Sequence, residues 1–391
     1  MGMRMRGRSM LNSSRVELRV VVFVFVLLCA AAMAAWAPPA AAVEATGLYR
    51  VTLPVAARSQ AALTVAFRQA LNQVLIKVSG DSKIAAQAPV AHALQNASTY
   101  VQQYAYQQQA AASGSGIASP KAASGEAPLQ LQVRFDPQAI DRLLLTNNLP
   151  LWGRERPVVI VWAGINQGGG KRFVLGTESD VSHPNATHAV EQAAQRRGLP
   201  VILPLMDLQD RGAFSFSDLS GGFVEPLLKA SARYAANAEL AGVVQPAGGQ
   251  WIGRWWLAFR GKTVHWTSSG STQARVLASA IDGAADRLAA RLAVSAVAAT
   301  GRALSVQIGG VSTVSDYARI EHLLDKLTPI KSVQLVSAAA GQLVFQVVPR
   351  GQLSDVRRNL DLVDWLKPRQ SVPDASQSAA AGQTLYFTYT P

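Results

Sequence analysis

The first 42 residues determine which part of this chain is left to fold. Five arginines precede an apolar run from Val20 to Trp36, and three small residues, Ala40 to Ala42, follow the run. A basic N-terminal stretch, an apolar middle and small residues at the cleavage site are typical of a secretory signal peptide. We therefore predict cleavage after Ala42 and export of the remaining residues to the periplasm.

The alternative to cleavage is a retained membrane anchor. An apolar run of about 17 residues approaches the shortest length that crosses a bilayer. Pro38 and Pro39, followed by the alanines, favour cleavage. No other segment of the sequence is long and apolar enough to span a membrane, so no span is predicted once the signal peptide is removed.

The single cysteine, Cys29, lies inside this apolar run. A lipoprotein signal requires a small residue immediately before its cysteine, and Leu28 is not small, so lipid attachment is not predicted. The exported part then has no cysteine. It must fold without disulfide bonds, and it cannot use a thiol nucleophile or thiolate metal ligands.

The composition is that of a globular protein, with 49% hydrophobic and 16% charged residues in a chain of 391. The net charge of +13 falls to +9 when the five arginines and one glutamate of residues 1–42 are removed. A positive protein in the envelope suits an envelope protein, or an anionic wall or lipid component, as partner. Nucleic acid is not expected as a partner, because export removes the protein from the cytoplasm.

Hydrophobic patterns divide the chain into three folded blocks. The first and third blocks share the order strand, helix, strand, strand, helix, which is typical of ferredoxin-like α+β modules. The middle block alternates apolar strands with helices, which indicates an α/β domain with a mixed sheet. The predicted domains are residues 43–153 with a flexible loop at 110–128, residues 156–300, residues 302–367, and a mostly disordered tail at 368–391. Within that tail, Leu385, Phe387 and Tyr389 alternate and suit one additional strand.

A β-hairpin is predicted within residues 251–268, with Gly261 and Lys262 as its two-residue turn. Strand side chains alternate between the two faces of a sheet. One face of the hairpin collects apolar residues and is predicted to face the core: Trp255, Leu257, Phe259, Val264 and Trp266. The other face is predicted to bind an anionic, partly apolar partner and collects Arg254, Trp256, Arg260 and His265. The alternative is that a helix predicted over residues 272–298 covers this second face.

A second candidate site is acidic. Asp207, Asp210 and Asp218 follow the predicted strand at residues 200–203, and α/β sheets tend to place sites at the carboxyl ends of strands. Paired carboxylates can act as acid and base, which would suit a periplasmic hydrolase. Their spacing fits no standard metal-binding loop, so no metal is predicted. The alternative role is in turns and helix caps.

No cofactor is predicted. Gly168–Lys171 follows an apolar strand, as a phosphate-binding loop would. Such a loop also needs a glycine six positions before the lysine and a serine or threonine after it. Ile165 and Arg172 occupy those two positions, so we interpret the segment as a glycine-rich turn.

Several segments resemble the uncharacterised exported family of proteobacterial proteins known as domain of unknown function 2066. They are Arg58–Gly80, Tyr100–Tyr106, Val133–Phe135, Leu149–Gly153 and Pro204–Asp210. The resemblance implies export and no known activity, so it assigns no catalytic residue. The sequence therefore predicts a periplasmic binding or scaffolding protein, with a periplasmic hydrolase built around Asp207 and Asp210 as the alternative.

Overall fold

A computed structural model describes residues 43–45, 47–108, 129–177, 182–294, 303–339, 341–369 and 384–390. The predicted signal peptide, the predicted loop at 110–128 and residues 370–383 of the predicted tail lie outside the described residues. Over the described ranges the fold is mixed α+β, with ten α-helices, three larger sheets and one two-stranded ribbon. The described residues belong to one compact unit.

The first module contains a three-stranded antiparallel sheet with the strand order β2-β4-β3. Its elements are β2 (Arg50–Pro54), α1 (Gln60–Ser79), α2 (Ala88–Gln95), β3 (Val101–Gln108), β4 (Leu129–Phe135) and α3 (Pro137–Thr146). The Ser59 side chain caps the start of α1, and Gly80 ends the helix with a φ of 72°. A preceding β1 (Val43–Glu44) pairs with β5 (Glu155–Arg156).

The middle module is built on a six-stranded mixed sheet. Its strands are β6 (Val159–Asn166), β7 (Arg172–Val174), β8 (Val201–Ile202), β9 (Ala238–Ala247), β10 (Gln250–Phe259) and β11 (Lys262–Gly270). Its helices are α4 (Pro184–Arg197), α5 (Leu208–Ala213), α6 (Phe216–Gly221), α7 (Val224–Ser231) and α8 (Gln273–Leu292). The order is β11-β10-β9-β6-β7, with β8 also paired to β6. The central strand β6 is buried at every residue but its last, because helices cover both faces.

The two faces of this sheet carry different helices. Residues of α4 and α8 pack on one face, together with Trp255, Leu257 and Phe259 of β10. Residues of α6 and α7 pack on the other face, together with Trp256 and Ala258 of β10. The face predicted to meet the core is therefore buried, and the opposite face of β10 is buried as well.

The predicted hairpin turn is wrong by one residue. The turn is formed by Arg260 and Gly261, and Phe259 pairs with Lys262. Both turn residues have positive φ, 51° and 69°, as a type I′ turn requires. The pairing therefore shifts relative to the prediction, but each side chain keeps its predicted face because the shift between partners is two residues.

The third module has a five-stranded sheet in the order β13-β14-β12-β16-β15. Its elements are β12 (Leu304–Gly309), α9 (Val314–Lys326), β13 (Ile330–Ala339), β14 (Gln342–Pro349), α10 (Leu353–Leu360), β15 (Leu366–Pro368) and β16 (Thr384–Tyr389). The predicted additional strand is confirmed as β16, with its three apolar side chains buried. It lies between β12 and β15, so this part of the predicted tail belongs to the sheet.

Candidate functional site

The predicted binding face of the hairpin is only partly a surface. Arg254 and His265 are exposed, and His265 lies opposite Trp256 across the strand pair. Arg260 instead contacts the third module, where it donates a 2.7 Å hydrogen bond to the Arg358 carbonyl. Arg254, Trp256 and His265 thus share a face of the sheet, whereas Arg260 lies in the turn, so the four residues do not form one continuous exposed patch.

The prediction that Trp256 is exposed is wrong. Only 4% of Trp256 is exposed, and it belongs to the same buried hydrophobic cluster as Trp162, Phe214 and Leu219. The helices that cover it are α6 and α7, whereas α8, the helix expected as the alternative cover, packs on the opposite face. The physical reason is that β10 is an interior strand of a sheet covered on both sides. Whether the exposed Arg254 and His265 bind a partner stays a prediction.

The three aspartates separate into two local structures. Asp207 caps α5, and both its carboxylate oxygens accept hydrogen bonds of 2.9 Å from Arg233. Asp210 is buried and accepts from the Met206 amide at 2.9 Å, from the Tyr234 hydroxyl and from Arg233. Asp218 belongs to a different helix, where it forms a capping box with Ser215. The cap role is confirmed for Asp207 and Asp218.

The pKa values of Asp207, Asp218 and Tyr234 are all shifted away from neutral pH. Hydrogen bonds from Arg233 hold the pKa of Asp207 below its usual value, and the Ser215 hydroxyl does the same for Asp218. Burial, followed by the hydrogen bond to Asp210, raises the pKa of Tyr234 to about 12. Asp207 therefore remains an ionised partner of a guanidinium at neutral pH. The cluster fixes Met206, whose φ is 56°, and joins α5 to the end of α7.

A large groove lies between the first and middle modules. It has a volume of about 1160 Å³. One side is lined by β2 and by α1, and the other side by α4 and by the segment around β8. The buried part of the lining includes Thr187, Val190 and Leu199, and the exposed part includes Arg50 and Arg196.

The edge of β2 faces this groove with main-chain groups that β4 does not use. Hydrogen bonds from Phe135 to the Tyr49 carbonyl and from Val55 to the Leu129 carbonyl fix the pairing of the two strands. Because hydrogen-bonded pairs alternate along an antiparallel ladder, the Thr52 amide and carbonyl point away from β4. No group in the described ranges is hydrogen-bonded to the Thr52 amide or to the Thr52 carbonyl.

Positive side chains outnumber negative ones in the lining. Arg50, Lys77 and Arg196 line the groove, and Glu191 is the one acidic side chain among the lining residues. The Lys77 ammonium donates a 3.1 Å hydrogen bond to the Arg50 carbonyl. Burial, followed by repulsion from Arg156, lowers the pKa of Lys77 to about 8. A negative ligand charge in the groove would relieve this unfavourable environment.

Arg156 holds the two sides of the groove together at one end. Its side chain is fully buried, and all five of its N–H groups donate to main-chain carbonyls. The acceptors include Lys77 at the end of α1, and Arg197 and Gly198 at the end of α4. Helix carboxyl ends carry partial negative charge, so they suit a buried cation. Burial lowers the pKa of Arg156 to about 9, and the guanidinium stays charged at neutral pH.

Sequence reasoning missed this groove. Its two sides are separated by more than a hundred positions in the chain, and neither side carries a recognisable motif. One usable signal was Pro54 at the end of a short strand, because proline is favoured in edge strands. That signal identifies an open strand edge but not what lies opposite to it.

Two further properties bear on the kind of site. Among the residues that the structure describes, no group of three or more histidine, cysteine, aspartate or glutamate side chains is placed to hold a metal ion. None of the described helices combines the length and the apolar character needed to cross a membrane.

Comparison with known proteins gives a family-model match to the first module. A family model described as a domain of unknown function (DUF8605) matches residues 42–153. This match corrects the resemblance given above, because the matching family is a different one from domain of unknown function 2066. No curated protein matches the chain.

One solved structure to which the chain is similar is a Giardia lamblia prolyl-tRNA synthetase in complex with prolyl-adenylate. The identity is 12% and the TM-score is 0.17, over 68% of this chain and 47% of that one. The alignment thus spans less than half of the synthetase chain. A TM-score this low supports no conclusion about fold or activity.

Proposed function

We propose that this protein is an exported, non-enzymatic binding or scaffolding protein of the cell envelope, which holds an anionic partner in the groove between β2 and α4. The observation that supports the proposal is the groove itself. It combines a large volume, an apolar buried lining, three positive side chains and main-chain groups that have no partner among the described residues. Clefts with these properties are the usual places where proteins bind ligands.

The acidic cluster supports the hydrolase alternative less well. Its two neighbouring carboxylates, Asp207 and Asp210, share one guanidinium and hold the start of α5 in place. A general acid and base require at least one group that exchanges a proton near neutral pH. The binding proposal needs no such group.

Photo-crosslinking in living cells tests the binding proposal. A photoreactive amino acid is placed at Gln192, which lines the groove, and at Glu321, a half-buried residue of α9 outside it. We expect a specific envelope component to be captured from Gln192 and not from Glu321. Equal capture from the two positions, or none from Gln192, would contradict the proposal.

Export is tested separately by mass. We expect the protein released by osmotic shock to have the intact mass of a chain that begins at Val43. Recovery of only full-length protein in the membrane fraction would contradict cleavage and a soluble periplasmic location.

We also propose that the two outer modules are ferredoxin-like. The order β12, α9, β13, β14, α10 and then β16 supports this for the third module. The first module has a similar sequence of elements around its three-stranded sheet.

A further inference from the structure

We propose that the occupant of the groove is an extended, acidic segment of a partner protein, which adds as a strand to the open edge of β2. This inference rests on the proposed function, and it specifies the chemistry of the ligand. Three independent features of the groove lead to it: the pattern of free main-chain groups, the distribution of charge, and one buried hydroxyl.

The free main-chain groups of β2 suit an extended polypeptide. The Thr52 amide and carbonyl can exchange two hydrogen bonds with a single residue of an added strand. The carbonyl of Pro54 points to the same side and can accept a third bond. The Arg50 carbonyl already accepts a hydrogen bond from the Lys77 ammonium, and Pro54 has no N–H. The part of the β2 edge that can pair with another strand is therefore short. The added strand can therefore pair with β2 over only a few residues, as in short strand-addition complexes.

The charge pattern favours acidic side chains on that segment. Arg50 and Lys77 lie on the β2 side of the groove, and Arg196 lies on the α4 side. A strand paired with β2 directs its side chains alternately to the two faces of the extended sheet, across the direction of the main-chain hydrogen bonds. Carboxylates on one face of such a strand would lie in a groove whose lining carries three positive side chains and one acidic side chain, Glu191.

The buried hydroxyl is that of Thr187. Thr187 is 2% exposed and lines the groove, and its Oγ1 atom has no hydrogen-bond partner in the part of the chain that is described. Buried polar groups in folded proteins are normally hydrogen-bonded. A polar group of the added strand would supply the missing partner.

Binding of a synthetic peptide tests the inference directly. The probe is a fluorescein-labelled peptide of the sequence Thr-Glu-Val-Glu-Thr-Glu-Val with blocked ends, titrated against the full protein by fluorescence anisotropy. We expect saturable binding, and loss of binding when the glutamates are replaced by lysines. Equal affinity for the acidic and basic peptides would overturn the charge assignment.

Methylation of the peptide nitrogens tests strand pairing. Two peptides carry N-methyl groups, one on the glutamates and the other on the intervening residues, so that each removes the N–H groups of one strand edge. We expect one of the two to lose at least about fivefold in affinity and the other to bind as the parent does. Equal effects of both methylation patterns would exclude pairing along one edge.

Protein variants then locate the site. Arg50→Gln with Arg196→Gln should weaken binding of the acidic peptide about tenfold. The matched control is Arg68→Gln with Arg142→Gln, which removes two exposed arginines outside the groove lining and should leave the affinity unchanged. Loss of affinity in the control pair alone would overturn the inference.

Thr52→Pro removes the free N–H of β2, whereas Thr52→Val retains it. We expect the proline variant to lose the peptide and the valine variant to keep it, with circular dichroism confirming that both are folded. If Gln192 captures a partner in cells but the acidic peptide does not bind, the proposed function stands and the extended acidic segment is excluded. If neither experiment gives a signal, both proposals fail.

Discussion

Trp256 lies in a strand with neighbours on both sides, and this position sets the role of its side chain. Its ring fills space between the sheet and helices α6 and α7, close to the T-shaped pair of Trp162 and Phe214. Its Nε1 atom has no hydrogen-bond partner among the described residues. The indole therefore contributes through apolar burial and not through a polar contact.

We expect Trp256→Ala to lower the free energy of unfolding by about 3–5 kcal/mol, because the change removes a large buried aromatic group and leaves a cavity. Arg254→Ala, on the same face but exposed, should change stability by less than about 0.5 kcal/mol. Chemical denaturation measures both. A Trp256→Ala protein of unchanged stability would show that the ring is not part of the core.

Glu239 is the second residue for which burial has a measurable consequence. It lies in β9 between Ala258 of β10 and Ile160 of β6, and burial raises its pKa from the usual 4.5 to about 7. Between these two pH values the folded protein keeps the proton and the unfolded chain has lost it. Stability from this residue is therefore full below about pH 4.5 and declines as the pH rises to about 7.

We expect Glu239→Gln to flatten this decline and to make the protein more stable than wild type at pH 8. Melting temperatures measured from pH 5 to pH 8 test this expectation. The exposed Glu191→Gln is the control, and its profile should follow that of the wild type. A Glu239→Gln profile parallel to the wild type would assign the pH dependence to other groups.

At the scale of elements, the β10–β11 hairpin depends on an unusual turn. Arg260 adopts a φ of 51°, which is uncommon for a residue with a side chain. Its guanidinium is engaged with the third module, through the Arg358 carbonyl and a 4.0 Å contact to Asp361. This contact accounts for an arginine at a position where asparagine or glycine is the usual choice.

Gly261 supplies the second left-handed position of the turn. A Cβ atom added there meets no atom within 4 Å, so a substitution tests the backbone alone. We expect Gly261→Ala to cost about 1–2 kcal/mol. Gly212 in α5 also has open space around it and no positive φ, so Gly212→Ala should be neutral or stabilising. Thermal unfolding of the two variants distinguishes backbone strain from a general effect of added side chains.

Elements with strong local patterns were predictable from sequence. The helix α1 follows from apolar residues at helical spacing between Ser59 and Gly80, and β16 follows from strict alternation. The hairpin turn was predicted one residue too late, because Gly261 was assigned to the first position of a II′ turn, whereas Arg260 takes that position with a positive φ. Helices α5 and α6 were missed since they are short and are defined mainly by their caps, Asp207 and Ser215.

At the scale of the whole molecule, packing between modules creates the groove, which neither module forms alone. The groove needs β2 from one module and α4 from another, and Arg156 joins them through carbonyls of both. Arg197 adds a second connection, with hydrogen bonds of 2.7 Å to Gly80 and 2.5 Å to Asp286 of α8. The candidate site could not be predicted from sequence, because no local pattern encodes contacts between such distant segments.

We expect Arg156→Met to lower the free energy of unfolding by at least about 3 kcal/mol. Several buried carbonyls would lose their donor, and each unsatisfied group costs about 1–3 kcal/mol. The loss of unfolding free energy in Arg156→Lys should be intermediate, because an ammonium has three N–H groups for five acceptors. Arg68→Met on the exposed surface of α1 is the control. Equal stability of the Arg156→Met and Arg68→Met proteins would contradict the role assigned to this guanidinium.

The position of Arg156 also limits how this protein can be rearranged by recombination. The residue follows Gly153 by three positions, yet its acceptors include the carboxyl end of α1 and that of α4. A gene fragment that moved the first module alone would carry the Lys77 carbonyl away from its donor. A transferred middle module would bring the buried guanidinium without its acceptors at Trp152, Gly153 and Lys77. The segment from Trp152 to Arg156 should therefore be inherited together with both of its neighbours.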